Sequence, residues 1–294
     1  MTNHLGKIMK AEFEEKTYES YFNTELDKHS EIYFPLGQVQ EGSLGFDASS
    51  FSKNRRLWKK LGYPFWFRPH FEGLKLSEIA DEMEHYLRVE LNNIPNMKAN
   101  LLFQYKRPEY ITTTNGAEWT YWNKPYFRYD IYQTQQDLLM HIHNKFKSKI
   151  HIIYASPVTI DINELVKHRK NILNYSNYTR AVDLQGHHCN TYISSGTYSI
   201  ACSEPERIEN INILELLESL SVQSTKTDNI TNMEFIINFS SKIQSIVSNN
   251  TYYSQAFNEL NQDIAEIQEY KLFHSLLSMR NYRQITGSQW LVKI

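Results

Sequence analysis

The chain has 294 residues, 41% hydrophobic and 22% charged, enough for one large domain or two ordinary ones with a real core. Its 20 Tyr and 15 Phe against only 10 Gly exclude a Gly-rich fibrous or disordered class. A formal net charge of -2 excludes a global positive field, so any contact with nucleic acid must use a local patch.

Two cysteines, Cys189 and Cys202, cannot build a disulfide framework of the secreted kind, which points to a reducing compartment. Met1 to Phe13 lacks the apolar core of a signal peptide. No apolar run approaches the roughly 20 residues that a membrane span needs. The expectation is a cytoplasmic protein with no membrane contact.

In chain order, Ala11 to Lys28 reads as a helix, because Phe13, Tyr18, Tyr21, Phe22 and Leu26 recur at spacings near three and four. Glu12, Glu15 and Glu19 share another face, a solvated one on pattern alone. Pro35, Gly37, Gly42 and Gly45 then punctuate the chain into turns, and Leu44 to Phe51 has the pattern of a short strand. Asp47 stands inside it between Phe46 and Ala48, where propensity disfavours an acid. The plain alternative is a turn acid just past Gly45.

Phe51 to Phe71 carries Lys53, Arg55, Arg56, Lys59, Lys60 and Arg68, no acid, and Trp58, Tyr63, Phe65, Trp66 and Phe67 between them. Basic and aromatic side chains together hold phosphates and stack on bases. An amphipathic packing element with a solvated basic rim has the same pattern. Leu76 to Asn93 reads as a helix capped by Ser77, with Ile79, Met83, Tyr86, Leu87 and Leu91 on its apolar side.

Leu101 to Pro108 reads as a buried strand that Pro108 stops. Alternation places Gln104 and Lys106 on one face and Phe103 and Tyr105 on the other. A lysine in that position is costly to bury without a partner. It is either a chemical site or a strand end already reaching water.

After Trp119 to Trp122 comes a second strand, Tyr126 to Tyr132, then a helix, Gln135 to Phe146, capped by Thr134. Ile150 to Ala155 is another buried strand, and the helix between these two strands suits a right-handed crossover joining parallel neighbours. Further helices are expected over Ile162 to Tyr175, Ile208 to Val222, Asn232 to Ser248 and Tyr252 to Met279, with strands and loops over Thr179 to Glu206.

Several other chemistries find little support. His187, His188 and Cys189 are zinc-ligand types, but adjacent residues rarely supply three ligands and structural sites use spaced pairs. Ser195-Gly196 lacks the surrounding nucleophile elbow, and no phosphate-binding Gly-rich loop is present.

The order of elements, with Gly45-Phe46-Asp47-Ala48 on one strand and Gln104-Tyr105-Lys106 on a later one, resembles the PD-(D/E)xK nuclease superfamily over residues 11 to 156. The resemblance implies an α/β fold with a restriction-endonuclease-like αβββαβ core and a mixed central sheet. It implies a nuclease-like domain over residues 1–205, with an insertion at 51–98, and a helical C-terminal region over 206–294. Gln104 replaces the usual carboxylate, as in the QxK variant of Mrr-like branches.

The implied activity is metal-dependent endonucleolytic cleavage of nucleic acid, DNA in preference to RNA, with a role in prokaryotic antiviral defence. Asp47, the Gln104 side-chain carbonyl and the Tyr105 backbone carbonyl would hold Mg²⁺ or Mn²⁺, joined by Glu19 or Glu15. Lys106 would orient the attacking water or stabilise the pentavalent state. Gln135 or Gln136, at a helix N-terminus, would position water or phosphate. Lys53, Arg55, Arg56, Lys59, Lys60 and Arg107 would hold the substrate backbone. The C-terminal helices would serve a homodimer or a partner protein. Gln104 in place of an acid also fits a second class, an inactive nucleic-acid-binding or assembly subunit with the same fold.

Overall fold

The computed structural model describes residues 8–35, 76–222 and 230–294. The strands are β1 (Ile8–Lys10), β2 (Ile32–Tyr33), β3 (Ala99–Tyr105), β4 (Glu109–Ile111), β5 (Tyr126–Asp130), β6 (Ile150–Pro157), β7 (Ser176–Arg180), β8 (Cys189–Tyr192), β9 (Tyr198–Cys202), β10 (Glu206–Glu209) and β11 (Gln289–Lys293). The helices are α1 (Glu15–His29), α2 (Leu76–Asn93), α3 (Trp119–Trp122), α4 (Gln133–Phe146), α5 (Ile162–Lys167), α6 (Ile213–Val222), α7 (Asn232–Ser248), α8 (Ser254–Gln262) and α9 (Lys271–Thr286). The expected strand over Leu44 to Phe51 and the basic, aromatic segment Phe51 to Phe71 lie outside the described residues.

The chain divides into two compact units. Met1–Ile32, Lys98–Ser224 and Gly287–Lys293 form the first; Tyr33–Met97, Thr225–Thr286 and Ile294 form the second. The chain therefore returns to the first unit twice, the second time for β11.

The architecture is mixed α/β with two sheets. One has the order β1-β4-β5-β8-β9-β10 and is antiparallel throughout. The other has the order β2-β11-β3-β6-β7, with β3 and β6 parallel, and β11–β3 and β6–β7 antiparallel. All seven residues of β3 are buried, as a near-continuous apolar run inside a sheet requires.

On α1, Tyr18, Phe22 and Leu26 fall four apart and are fully buried. Phe22 lies 5.2 Å from the Phe103 ring and 5.3 Å from the Tyr105 ring, and Tyr105 donates its hydroxyl to Asn23 Oδ1 at 2.7 Å. Burying a side chain of this size contributes about 1.5–3 kcal/mol. This packing holds one face of β3 against the helix.

Several expectations are corrected. The parallel neighbour of β6 is β3, because β5 pairs with β4 and β8 in the other sheet. Thr134 lies inside α4, whose N-cap is Tyr132 with no side-chain cap bond. The helix from Ile162 stops at Lys167. Beyond it the chain winds through turns, with Asn174 donating to the Asn171 side chain at 2.8 Å and His168 stacked 3.8 Å from Tyr175. Side chains of this type compete with helical hydrogen bonding.

The long helix expected over Tyr252 to Met279 is broken into α8 and α9. Within the second unit, Asn281 Nδ2 donates to the Leu260 carbonyl, and Glu84 receives the N–H groups of Leu272 and Phe273 at the start of α9. These side chains satisfy groups that helix ends leave open. Asn232 binds the end of α2 similarly, donating to the carbonyls of Leu91, Ile94 and Pro95 and accepting from Met97 N–H. Among the described residues, no helix is long and apolar enough to cross a membrane.

Candidate functional site

The open end of β3 is where the first unit gathers its charged and polar side chains. Lys106 follows the last strand residue, and its N–H still bonds to the Ala155 carbonyl of β6 at 2.9 Å. Its carbonyl accepts from Ser156 Oγ at 3.0 Å, so the backbone is held from both directions. The side chain is only 5% exposed, which removes the reading of a strand end reaching water. Its Nζ lies 3.3 Å from Gln135 Oε1, 4.7 Å from the centre of the Tyr132 ring and 5.4 Å from that of Tyr154.

Gln135 and Gln136 are both buried in the first turn of α4. Gln136 Nε2 donates to the Ala181 carbonyl at 2.6 Å, and Tyr154 donates its hydroxyl to Gln136 Oε1 at 2.8 Å. Gln136 is thus a structural link between α4 and the sheet. Gln135 is the one of the pair that reaches Lys106.

The charge near Lys106 comes from α1 and β5. Burial pushes the Lys106 ammonium down to about 8, opposed by the negative charges of Glu15 and Asp130. Burial pushes Glu15 up to about 7, opposed by Lys106 and reinforced by Glu19. Glu19 is buried and pairs with Lys16 at 3.0 Å, so the acidic face of α1 is not wholly solvated. Arg107 turns away to the Phe13 carbonyl and Glu14, each at 3.3 Å.

Gln104, one pleat earlier, accepts a hydrogen bond at Oε1 from Ser288 Oγ at 2.9 Å. Its Nε2 donates to the Tyr105 carbonyl at 3.3 Å. Both oxygens expected to hold metal therefore have a hydrogen-bond partner already. Asp47 lies outside the described residues, as do Lys53, Arg55, Arg56, Lys59 and Lys60. The structure brings Lys106 and Gln135 together and places Glu15 where it acts on the ammonium, with Glu19 acting on Glu15.

Sequence reasoning passed over Asp130, Tyr132, Tyr154 and Ser288. Asp130 ends β5 just before α4, a charged strand end that the sequence shows. Tyr132 is 65% exposed, and the Lys106 ammonium lies over its ring. Ser288 arrives on the segment leading into β11, a strand whose Gln289-Trp290-Leu291-Val292 pattern after Gly287 was legible but was not read.

Chemically, the corner offers a desolvated ammonium and a buried neutral amide, with the half-buried Glu15 and the exposed Asp130 acting on the ammonium. Such sets occur where pKa values are tuned for proton or phosphate chemistry. No protein-family model matches the chain, and no curated protein or solved structure matches it.

Proposed function

We propose that the Lys106 corner is the centre of a metal-dependent endonuclease acting on nucleic acid, DNA in preference to RNA, on a restriction-endonuclease-like αβββαβ core. The observation that carries this reading is the buried Lys106 ammonium beside Gln135 at the N-terminus of α4, with Glu15 acting on it from α1. α1, β3, α4 and β6 support the core, and the pairing of β5 with the other sheet is a departure from it.

The donor set fits a hard cation. Glu15 and Asp130 act on the buried Lys106 ammonium, and burial pushes Glu15, beside Glu19 on α1, up to about 7. Mg²⁺ or Mn²⁺ suits oxygen donors of this kind. When bound, such an ion supplies charge neutralisation at the phosphate and acidifies a water.

The chain's own residues do the rest. Gln135 and the Tyr132 and Tyr154 rings hold the Lys106 ammonium in place, where it meets the charge that develops on a phosphate oxygen. An ammonium near 8 is charged at neutral pH yet gives up its proton easily. The exposed Tyr132 ring offers a stacking surface for an unpaired base. The basic segment with Lys53, Arg55, Arg56, Lys59 and Lys60 holds the backbone.

A second reading is an inactive nucleic-acid-binding subunit. It is favoured by the engagement of Gln104 Oε1 and the Tyr105 carbonyl in hydrogen bonds. Plasmid incubated with the full chain in Mg²⁺, Mn²⁺ or EDTA separates the two. Metal-dependent cleavage that Lys106→Ala and Asp47→Ala abolish supports the enzyme. Binding without cleavage supports the second reading, and equal, EDTA-resistant nicking by all three proteins overturns the first.

A further inference from the structure

A second group of chemically active side chains lies on the antiparallel sheet of the first unit. Cys189 on β8 and Cys202 on β9 are direct cross-strand partners. Both are free thiols, 1% and 3% exposed. Glu118, at the entry to α3, joins them at 4% exposure. One carboxylate oxygen and the two sulfurs all lie within 4.8 Å of one another.

Glu118 is held there deliberately by the local fold. Tyr126 donates its hydroxyl to Glu118 Oε2 at 2.8 Å, leaving Oε1 toward Cys189 Sγ at 3.9 Å. The turn before Glu118 lies so close to Tyr126 that a Cβ at Gly116 would fall 2.6 Å from the Tyr126 hydroxyl. After it, Trp122 is fixed by its Nε1 bond to Thr191 Oγ1 at 3.0 Å and by stacking on Tyr198.

Burying a carboxylate costs several kcal/mol unless charge or strong hydrogen bonds offset it. Here it has one phenol and one distant thiol. A core serving only packing would place apolar groups at these positions. Two thiolates and a carboxylate are instead the donor types that select zinc over magnesium. Zinc ligands at about 2.0–2.3 Å in a tetrahedron stand about 3.5–3.8 Å apart, close to the 3.9 Å already present between Glu118 and Cys189.

The surroundings also match the charge. Two thiolates and a carboxylate around a divalent ion leave one negative charge. Arg128, two residues along β5 from Tyr126, has a buried Nε with no hydrogen-bond partner while its Nη2 pairs with Glu109 at 2.8 Å. The adjacent histidines are engaged elsewhere, His187 with Glu206 at 3.4 Å and His188 with Ser203 at 3.0 Å.

We propose that Glu118, Cys189 and Cys202 form a zinc site that pins the β8–β9 hairpin to the turn before α3, with a water closing the tetrahedron. Tyr126 orients the carboxylate ligand from outside the coordination sphere, a role such partners commonly play. The site shares no ligand with the Lys106 corner, although Asp130 there is the cross-strand partner of Cys189, and the proposal stands whether or not the chain cleaves nucleic acid.

The test uses the full chain, reduced and freed of metal, titrated with Co²⁺ and then Zn²⁺. About one Co²⁺ per chain is expected, with a thiolate-to-cobalt charge-transfer band that Zn²⁺ bleaches. Cys189→Ser and Cys202→Ser should each abolish the band, and Glu118→Gln should weaken affinity about tenfold or more. If the cysteine variants fail to fold, the wild-type spectrum and Glu118→Gln still decide. A reduced wild-type chain that takes up no metal overturns the proposal, including one that forms a Cys189–Cys202 disulfide on oxidation instead. So does undiminished zinc uptake by the Cys189→Ser, Cys202→Ser double variant.

Discussion

Glu84 in the second unit and Lys106 in the first are hidden from water to nearly the same degree, at 6% and 5% exposure, yet their surroundings treat them in opposite ways. Glu84 receives Arg88 through Nε and Nη2 at 3.0 and 2.9 Å, and the N–H groups of Phe273 and Leu272 at 2.8 and 3.5 Å. Those N–H groups open α9, where a helix end favours an anion. Lys106 has one neutral amide oxygen at 3.3 Å and two ring faces, with its carboxylate neighbours acting from farther away. A fully satisfied buried charge holds structure together. One held by weaker contacts keeps its capacity to meet something else.

The comparison breaks first at Lys106. On the proposed nuclease reading, Lys106→Met should lower cleavage about a thousand-fold, roughly 4 kcal/mol of barrier, while leaving folding stability equal or slightly higher. Urea unfolding together with plasmid cleavage checks both halves. A loss of several kcal/mol in stability would make Lys106 as structural as Glu84.

Glu84→Ala should do the reverse, costing about 3 kcal/mol of stability because two helix N–H groups and Arg88 lose their acceptor. Cleavage by the folded protein should not change. Glu84→Gln, which keeps an acceptor for the N–H groups, should cost less in the same unfolding measurement.

The pH dependence sharpens the contrast further. Glu15 ionises near 4.5 in the unfolded chain and near 7 in the fold, so the folded state binds more protons between these values. Its contribution to stability is full below about pH 4.5 and is lost as pH rises through about 7. Lys106 works in the alkaline range, where its penalty eases as pH rises from about 8 toward 10.5. Glu15→Gln should therefore flatten the drop in urea midpoint between about pH 5 and about pH 7.5. An unchanged drop would assign it to other groups.

The smallest effect is expected at Gly287, which adopts φ +71° where α9 gives way to β11. An added Cβ would meet Gln104 Nε2 at 3.8 Å, an ordinary contact, so Gly287→Ala should cost only the left-handed backbone penalty of about 1 kcal/mol. A much larger loss in thermal unfolding would mean that the Gln104–Ser288 bond is also disturbed.

Much of the local structure is legible in the amino-acid sequence. The apolar spacing of α1, α2 and α7 and the continuous apolar runs of β3 and β6 are periodic enough to read directly. The Gln104–Lys106 strand end and the glutamine pair opening α4 are legible as candidate residues, and Gln135 does reach Lys106. β11 was missed because a short strand after a long helix carries little periodicity. The partner of β6 was misjudged because pairing across sheets depends on contacts far apart in the chain.

Residue types and their periods determined the long periodic helices and the continuous apolar strands, and placed Gln104 and Lys106 on one face at a strand end. Only the tertiary structure decided which side chains meet. Lys106 with Glu15, and Cys189 with Cys202 and Glu118, are joined across long stretches of chain, and the cost of burying charge and thiol is set by those neighbours. Desolvation and partner geometry are properties of the packed fold, so they have no signature in local sequence.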